Sequence, residues 1–451
     1  MGHPEVPLRT KLLYGSGEVA LAAKNTSLNQ FLLFFYADVV HLSPSLVGAA
    51  IFIGKLWDAV TDPVMGYVSD TTRSHWGRRR PYVIASALPL GLCFFLLFTP
   101  PAAASAAATF GYLVAVYMLL FTFFTVYATP YVAWGAELAQ DYHERTTVVQ
   151  IRSLFGVLGG VIGATAPIAI ARGFADARQG YAVMAAALGA LMAAAGLLAG
   201  CGVTERRRAG TPAASLGHFL GGLRHTFANR DFRVVFLTFC LMTTAGSLGQ
   251  AVQLIVIKYR LGLYDFFPVI AFTFALSFAG SFPLWLRLSR RVGKRRAMLV
   301  GLASGCLTPL GWLIVPPGAH LAMLLFVLAG GAVAGSVTLV MSSAIDVIDL
   351  DELQTGERRE GAYFGIWTLG LKTSSAIGIL LSGSLLEAVG YVAGQPQAPG
   401  TMWWLVMLLG PLQAAVHLVG LVMFRGFRFE AEDVARVQAA LRTRRAQAGV
   451  V

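Results

Sequence analysis

Apolar runs of about twenty residues recur from one end of the chain to the other, broken by short polar stretches. That is the length a helix needs to cross a bilayer. The pattern predicts twelve spans, near 13–37, 45–68, 81–99, 108–138, 147–171, 180–200, 232–257, 266–287, 297–315, 320–347, 362–387 and 402–424. The polar breaks alternate in charge. Those after spans 2, 6 and 8 carry "RSHWGRRR", "ERRRAG…GLRHTFANRDFR" and "RLSRRVGKRR", whereas those after spans 1, 3, 9 and 11 carry no Lys or Arg. The asymmetry predicts that both termini and all the even-numbered loops are cytoplasmic.

The pattern also repeats. "SHWGRRRPYVIAS" follows span 2 and "SRRVGKRRAMLVG" follows span 8, with Gly77 and Gly293 separated by 293 − 77 = 216 residues, close to half the chain. Two six-span halves joined by a long polar loop are how the major facilitator architecture looks from sequence. The expected fold is therefore an all-α membrane protein of twelve transmembrane helices in two pseudo-symmetric six-helix bundles. The expected domains are 1–200 and 232–424, a linker at 201–231 and a cytoplasmic tail at 425–451. Within the linker, Leu216, Phe219, Leu220, Leu223 and Phe227 share one helical face and predict a helix lying on the inner membrane surface. The tail places its acids first and its arginines last, which suits a helix.

Composition agrees with the pattern. Of 451 residues, 56% are hydrophobic and 13% charged, against about 25% charged in soluble proteins; the mean hydropathy is +0.65. The net charge of +12 sits in short loops, where the positive-inside rule accounts for it and no nucleic-acid partner is needed. The first span is too long for a cleaved signal peptide and lacks a small-residue cleavage site. Cys93, Cys201, Cys240 and Cys306 lie in or beside apolar spans without metal-ligand spacing and read as small hydrophobes. No HExxH, GxSxG or Cys-pair motif appears, so no enzyme is expected. "GVLGGVIG" at 156–163 has no preceding strand; its GxxxG pairs, Gly156 with Gly160 and Gly159 with Gly163, predict close helix packing instead.

The candidate chemistry lies in polar residues inside the spans. Asp58 and Asp62 in span 2 stand four residues apart, on one helical face and about 6 Å from each other. A charge near the bilayer centre costs ~2.5–3.5 kcal/mol on insertion scales, so this face turns to the protein interior or a wet cavity. The repeat does not preserve the pair: a shift of 216 puts Phe274 and Phe278 opposite it. With the Thr61 hydroxyl, the pair reads as a site for a hard cation; the alternative is an ion-pair anchor between two helices. Thr122, Thr125 and Thr129 form a hydroxyl stripe in span 4 that can equally serve packing. In span 1, Glu18, Asn25 and Asn29 share a face expected to line the cavity, with Lys24 turned about 100° from Asn25. Lys372 sits about ten residues into span 11, too deep to snorkel, and is the strongest basic candidate for an interior role.

Three ordered stretches, "LWDAVTDPVMGYVSDTTRSHWGRRRPY", "TPYVAWGAELAQDYHERTTVVQIRSLFG" and "DVIDLDELQTGERREGAYFGIWTLGLKTSSA", resemble the melibiose-permease family of glycoside–pentoside–hexuronide:cation symporters. Sodium-dependent lysophospholipid symporters are similar and share the paired acids. The resemblance covers essentially the whole chain. It implies a cation site at Asp58, Thr61, Asp62 and Thr125, a coupling role for Lys372, and Arg152 near the substrate. One departure matters. Where melibiose permeases hold the sugar with a carboxylate in span 1, another in span 4 and a span 4 tryptophan, this chain has Ala22, Ala128 and Val132.

The resemblance therefore implies a Na⁺- or H⁺-coupled (or Li⁺-coupled) symporter working by alternating access. Its substrate is a glycoside by family, with Asn25, Asn29, Arg152, Gln250, Gln253 and Trp367 as substrate-cavity candidates, or an amphipathic lipid-like molecule such as a lysophospholipid. A proton-coupled exporter of apolar compounds is the further alternative, since burial raises a carboxylate's pKa and lets it carry a proton. Charge clusters at the inner ends of the spans, Arg78 and Arg145 in the first half and Asp349, Asp351 and Glu352 in the second, are expected to pair across the halves as a cytoplasmic gate. The expected partners are a monovalent cation, a small organic or amphipathic substrate and the lipid bilayer. No cofactor is expected, no metal beyond the coupling cation and no nucleic acid, in a monomer of the cell (inner) membrane.

Overall fold

The structure is a computed structural model that describes residues 6–102, 104–139, 141–205, 226–227, 229–356, 360–428 and 430–447. Every regular element among them is helical. In the first half these are α1 (Leu8–Ser27), α2 (Pro44–Thr71), α3 (Arg80–Leu97), α4 (Ala106–Leu138), α5 (Tyr142–Ala171) and α6 (Ala177–Gly202). The second half begins with α7 (Arg230–Val256) and α8 (Phe267–Val292) and ends at Phe424 before a tail helix at Ala431–Gln447. Ten helices among the described residues are long and apolar enough to cross a membrane. The first two spans fall outside that set; they are the ones loaded with charge, at Lys11, Glu18 and Lys24 in α1 and at Lys55, Asp58, Asp62 and Asp70 in α2.

Several spans are not the uniform helices that hydrophobicity predicts. Span 1 continues past α1 through two π turns, Leu28–Leu32 and Phe35–Val39. Each widens the helix and rotates the residues beyond it, so spacing rules that assume 3.6 residues per turn fail after Ser27. Span 9 passes through a 3₁₀ turn at Thr308–Leu310, and span 12 restarts at Pro411; in both, a proline withholds the N–H that a continuous helix needs. Span 10 breaks between Ala334 and Val337.

The chain forms two compact units. One comprises Met1–Ala213 with Gln250–Phe272 and Ile379–Thr401; the other comprises Ala214–Gly249, Thr273–Gly378 and Met402–Val451. In the first unit α1 packs on α5 and α6, α3 on α4 and α6, and α2 on α4. The α1–α5 contact is backbone to backbone. A Cβ on Gly159 would lie 2.7 Å from the Val19 carbonyl oxygen, and one on Gly163 2.5 Å from that of Ala23, which is the packing the GxxxG spacing predicts. Three tyrosines stitch α1 to α4: Tyr14 donates to the Tyr131 carbonyl at 3.0 Å, Tyr131 returns a bond to the Tyr14 carbonyl at 2.7 Å, and Tyr127 donates to Gly17 at 3.1 Å. The second unit is built on an apolar core that includes Phe232, Phe236, Trp285, Val347, Tyr363 and Trp367. Phe227 packs its ring against Phe232 and Phe236; the other four residues of the expected surface helix in the linker lie outside the described residues.

The repeated loop motif has a conformational basis. Gly77 and Gly293 both adopt left-handed backbone, with φ of 102° and 85°, which only glycine reaches without strain. After Gly77, the backbone N–H groups of Arg78, Arg79 and Arg80 converge on the Glu205 carboxylate at 3.0, 2.9 and 2.9 Å. The acid thereby caps the start of α3.

Candidate functional site

Asp58 and Asp62 lie one turn apart on α2 and face α4. Gly54, a turn earlier, permits the close approach: a Cβ there would run into the Tyr117 ring. Thr125 of α4 sits between the two acids. Its Oγ1 lies 2.9 Å from Asp58 Oδ1 and 3.0 Å from Asp62 Oδ1. Thr61 Oγ1 is 3.3 Å from Thr125 Oγ1 and donates to the Asp58 carbonyl at 3.2 Å. Asp58 and Thr125 are buried, 3% and 1% exposed, while Thr61 and Asp62 are half-buried. A threonine hydroxyl carries one proton and can donate to only one carboxylate at a time. Two carboxylates and two hydroxyls converging in this way form an oxygen-only donor set, which suits a hard cation. Pro63, inside α2, cannot donate to the carbonyl of residue 59 and so frees a further backbone oxygen in the same turn.

Further charges lie on α1, α2 and α5. Lys24 of α1 is completely buried. Its ammonium stands 3.1 Å from the centre of the Phe124 ring and 4.3 Å from that of Phe121, on the stretch of α4 that ends in Thr125. Lys55 of α2 is half-buried and donates to Asn29 Oδ1 at 3.4 Å. Glu18 takes Arg152 of α5 as its partner, with Nε to Oε2 at 3.3 Å. The expected common face of Glu18, Asn25 and Asn29 is therefore divided: Glu18 turns to α5, Asn25 is exposed, and Asn29, beyond the onset of the first π turn, meets α2.

A second polar centre lies near the other end of span 1. The Asp38 side chain is wholly buried and accepts four hydrogen bonds. Lys258 Nζ donates at 2.5 Å, the Tyr259 hydroxyl at 2.7 Å, the Gly394 N–H at 3.0 Å, and the Tyr391 hydroxyl completes the set. Burial first, and then the adjacent Asp38 charge, push the Tyr391 pKa well above that of an ordinary phenol, so its hydroxyl stays a donor. Lys258, Tyr259, Tyr391 and Gly394 come from the second half of the sequence yet belong to the first compact unit. The sequence signal is an acid near the end of an apolar span, but its partners are more than 200 residues away.

The remaining predicted residues fall in several places. Arg78 pairs with Glu137, and Arg79 bridges Glu137 at 2.9 Å and Asp70 at 3.0 Å, a network inside the first unit. Arg145 is exposed. In the second unit Asp351 is buried, Asp349 and Glu352 are half-buried, and the neighbouring Asp346 takes Lys294 at 2.7 Å. Lys372 is half-buried, also in the second unit. Gln250 is exposed and Gln253 half-buried. Trp367, expected to line the cavity, is 4% exposed and stacks on Phe239 with centroids 4.3 Å apart. It belongs to the apolar core of its unit because the rings of α7 reach it first. Ala22 and Ala128 are half-buried and Val132 is exposed, so the positions that grip sugar in melibiose permeases carry no polar group.

Helices this long and apolar make the chain an integral membrane protein. The chain belongs to the MFS/sugar transport protein family, whose sequence model matches residues 13–431. It is 27% identical to the uncharacterized symporter sll1374 of Synechocystis, over 92% of this chain and 93% of that one. It is 25% identical to the sodium-dependent lysophosphatidylcholine symporter 1-A of Danio rerio, over 94% and 86%. It is 26% identical to the inner membrane symporter YicJ of Escherichia coli, over 93% and 91%. Among solved structures the fold is similar to that of the nucleoside transporter NupG, with a TM-score of 0.64 and 14% identity over 94% of this chain and 99% of that one. The protein is thus an integral membrane transporter of major facilitator fold.

Proposed function

We propose that this protein is a cation-coupled symporter. Asp58, Asp62, Thr61 and Thr125 bind one monovalent cation, whose gradient drives uptake of an organic solute by alternating access of two six-helix bundles. The observation that carries the reading is the Thr125 hydroxyl within 3.0 Å of both carboxylates. The sodium-dependent and symporter names of the relatives support it. By analogy with YicJ the protein works in the inner membrane, with both termini cytoplasmic by the positive-inside rule.

We place the substrate in the sugar or glycoside class, a reading that the family description supports. A specific observation favours a second class. Ala22, Ala128 and Val132 offer no hydrogen bonds to sugar hydroxyls, and hydroxyls left unpaired on burial are costly; an amphiphile such as a lysophospholipid needs fewer. The test is uptake into proteoliposomes of a panel of glycosides and lysophosphatidylcholine, with and without an inward sodium gradient. One class is expected to accumulate, faster with sodium. Sodium-independent uptake that follows a proton gradient would replace the coupling ion. Export of apolar compounds against an inward proton gradient would overturn the symporter reading.

Lys372 is the coupling residue in this proposal. In a symporter each ligand raises the other's affinity by the same factor, typically about 5–150-fold. Lys372→Ala is expected to shrink the sodium-induced gain in substrate affinity more than it weakens substrate binding without sodium. Equal losses in both conditions, measured by equilibrium binding to purified protein, would make Lys372 a substrate ligand or a packing residue.

A further inference from the structure

The cation site has a neighbour that its donor set does not require. Lys24 is 0% exposed, and its ammonium is held against the faces of Phe121 and Phe124 at 4.3 and 3.1 Å. Aromatic faces attract a cation and do nothing comparable for a neutral amine, so the pocket is built for the charged form. The two rings belong to the turn of α4 that delivers Thr125 to both acids. Phe121 also packs on Tyr117 at 4.9 Å between centroids, and Tyr117 lies against Gly54 of α2, one turn before Asp58. The helices α1, α2 and α4 therefore bring Lys24 and the acid pair into one packed layer. The acid of α1, Glu18, is held by Arg152 at 3.3 Å. The other base nearby, Lys55, is half-buried and directed to Asn29. A buried ammonium within a membrane span is favoured by negative charge nearby, and α2 presents Asp58 and Asp62 to Thr125, the residue after Phe124.

We propose that Lys24 sets the charge of the cation site, so that the Asp58–Asp62 pair accepts a monovalent cation and rejects a divalent one. The inference rests on the reading of that pair as a cation site. Two carboxylates and hydroxyls alone form a donor set that calcium or magnesium also favours. A resident positive charge weakens the attraction for any entering cation in proportion to that cation's charge, so it acts twice as strongly in free energy against a divalent ion. The phenyl rings hold Lys24 in place, so the repulsion is permanent.

The test is equilibrium binding of radiolabelled sodium and calcium to purified protein in detergent, which needs no transport substrate. Wild-type protein is expected to bind sodium and to retain it when calcium is added at equal concentration. Lys24→Met is expected to bind sodium about tenfold more tightly and calcium about a hundredfold more tightly, the doubled exponent of the doubled charge. Lys24→Arg, which keeps the charge, is expected to retain the preference for sodium; should Lys24→Met not remain folded, Lys24→Gln is read in the same way. Unchanged sodium and calcium affinities in the folded neutral variant would overturn the proposal, as would calcium displacing sodium from the wild type. Asp58→Asn separates the two readings. If it leaves sodium binding intact, the cation site itself is wrong; if it abolishes binding while the neutral Lys24 variant is unaltered, only the role of Lys24 fails.

Discussion

Asp58→Asn and Asp62→Asn are each expected to abolish the sodium-stimulated part of uptake while leaving the protein folded. Asparagine keeps the shape and the oxygen next to Thr125 but removes the charge that draws a cation into a buried position. Each single variant is expected to stay folded, because it leaves the other carboxylate of the pair in place and α2 remains held against α4 by the Gly54–Tyr117 contact and by the Trp57 indole donating to Thr122 at 2.9 Å. Uptake in proteoliposomes, with and without sodium, reads the first expectation, and the thermal unfolding of purified variants reads the second. Thr125→Val is expected to weaken sodium binding without abolishing it, since it removes one oxygen of the set and leaves both carboxylates. Sodium dependence unchanged in both Asp variants would reduce the pair to an anchor between helices.

The largest effect on stability is expected at Asp38. Its carboxylate has a wholly buried side chain and serves four donors from distant parts of the sequence. Removing one partner of a buried pair typically costs about 3–5 kcal/mol, because the other groups are left desolvated and unmatched. Lys258 is 32% exposed in its side chain, so Asp38→Ala is expected near the lower end of that range, measured by chemical or thermal unfolding in detergent. Replacing Asp38 and Lys258 together by Leu and Met is expected to recover part of the loss, since apolar packing can stand in for a buried ion pair. A transport cycle that separates the ends of spans 1, 7 and 11 has to break these bonds, so the single variant should also change the uptake rate. Unfolding of Asp38→Ala indistinguishable from wild type would mean that the cluster contributes no stability.

Much of this molecule can be read directly from the chain. Hydrophobic runs of membrane length yield the helices, because in a bilayer each span must satisfy its own backbone hydrogen bonds. The Asp58–Asp62 spacing puts both acids on one face of α2 for the same local reason. The GxxxG spacing of α5 likewise anticipates a close helix contact, since a small residue every fourth position is a property of one helix, but not that α1 is the partner. The features that escape the sequence are non-local. By helical phase alone Lys24 is turned away from the useful face of α1; its role depends on where α4 places Phe121 and Phe124. The common face of Glu18, Asn25 and Asn29 assumes an unbroken helix, and the π turn at Leu28–Leu32 changes the phase at Asn29. Trp367 is a cavity candidate in the sequence, but the rings of α7 enclose it.

The sequence by itself determined the membrane spans, the paired acids on one helical face and the oxygen-rich character of their surroundings, all set by periodicity within single helices. Only the tertiary structure decided that Thr125 bridges the two acids, that Lys24 is buried against the same stretch of α4, and that Asp38 gathers Lys258, Tyr259 and Tyr391 from the far half of the chain. Each of these is a meeting between helices, and which faces meet is settled by the packing of glycines and rings across the bundle, a property that no single span carries in its own pattern.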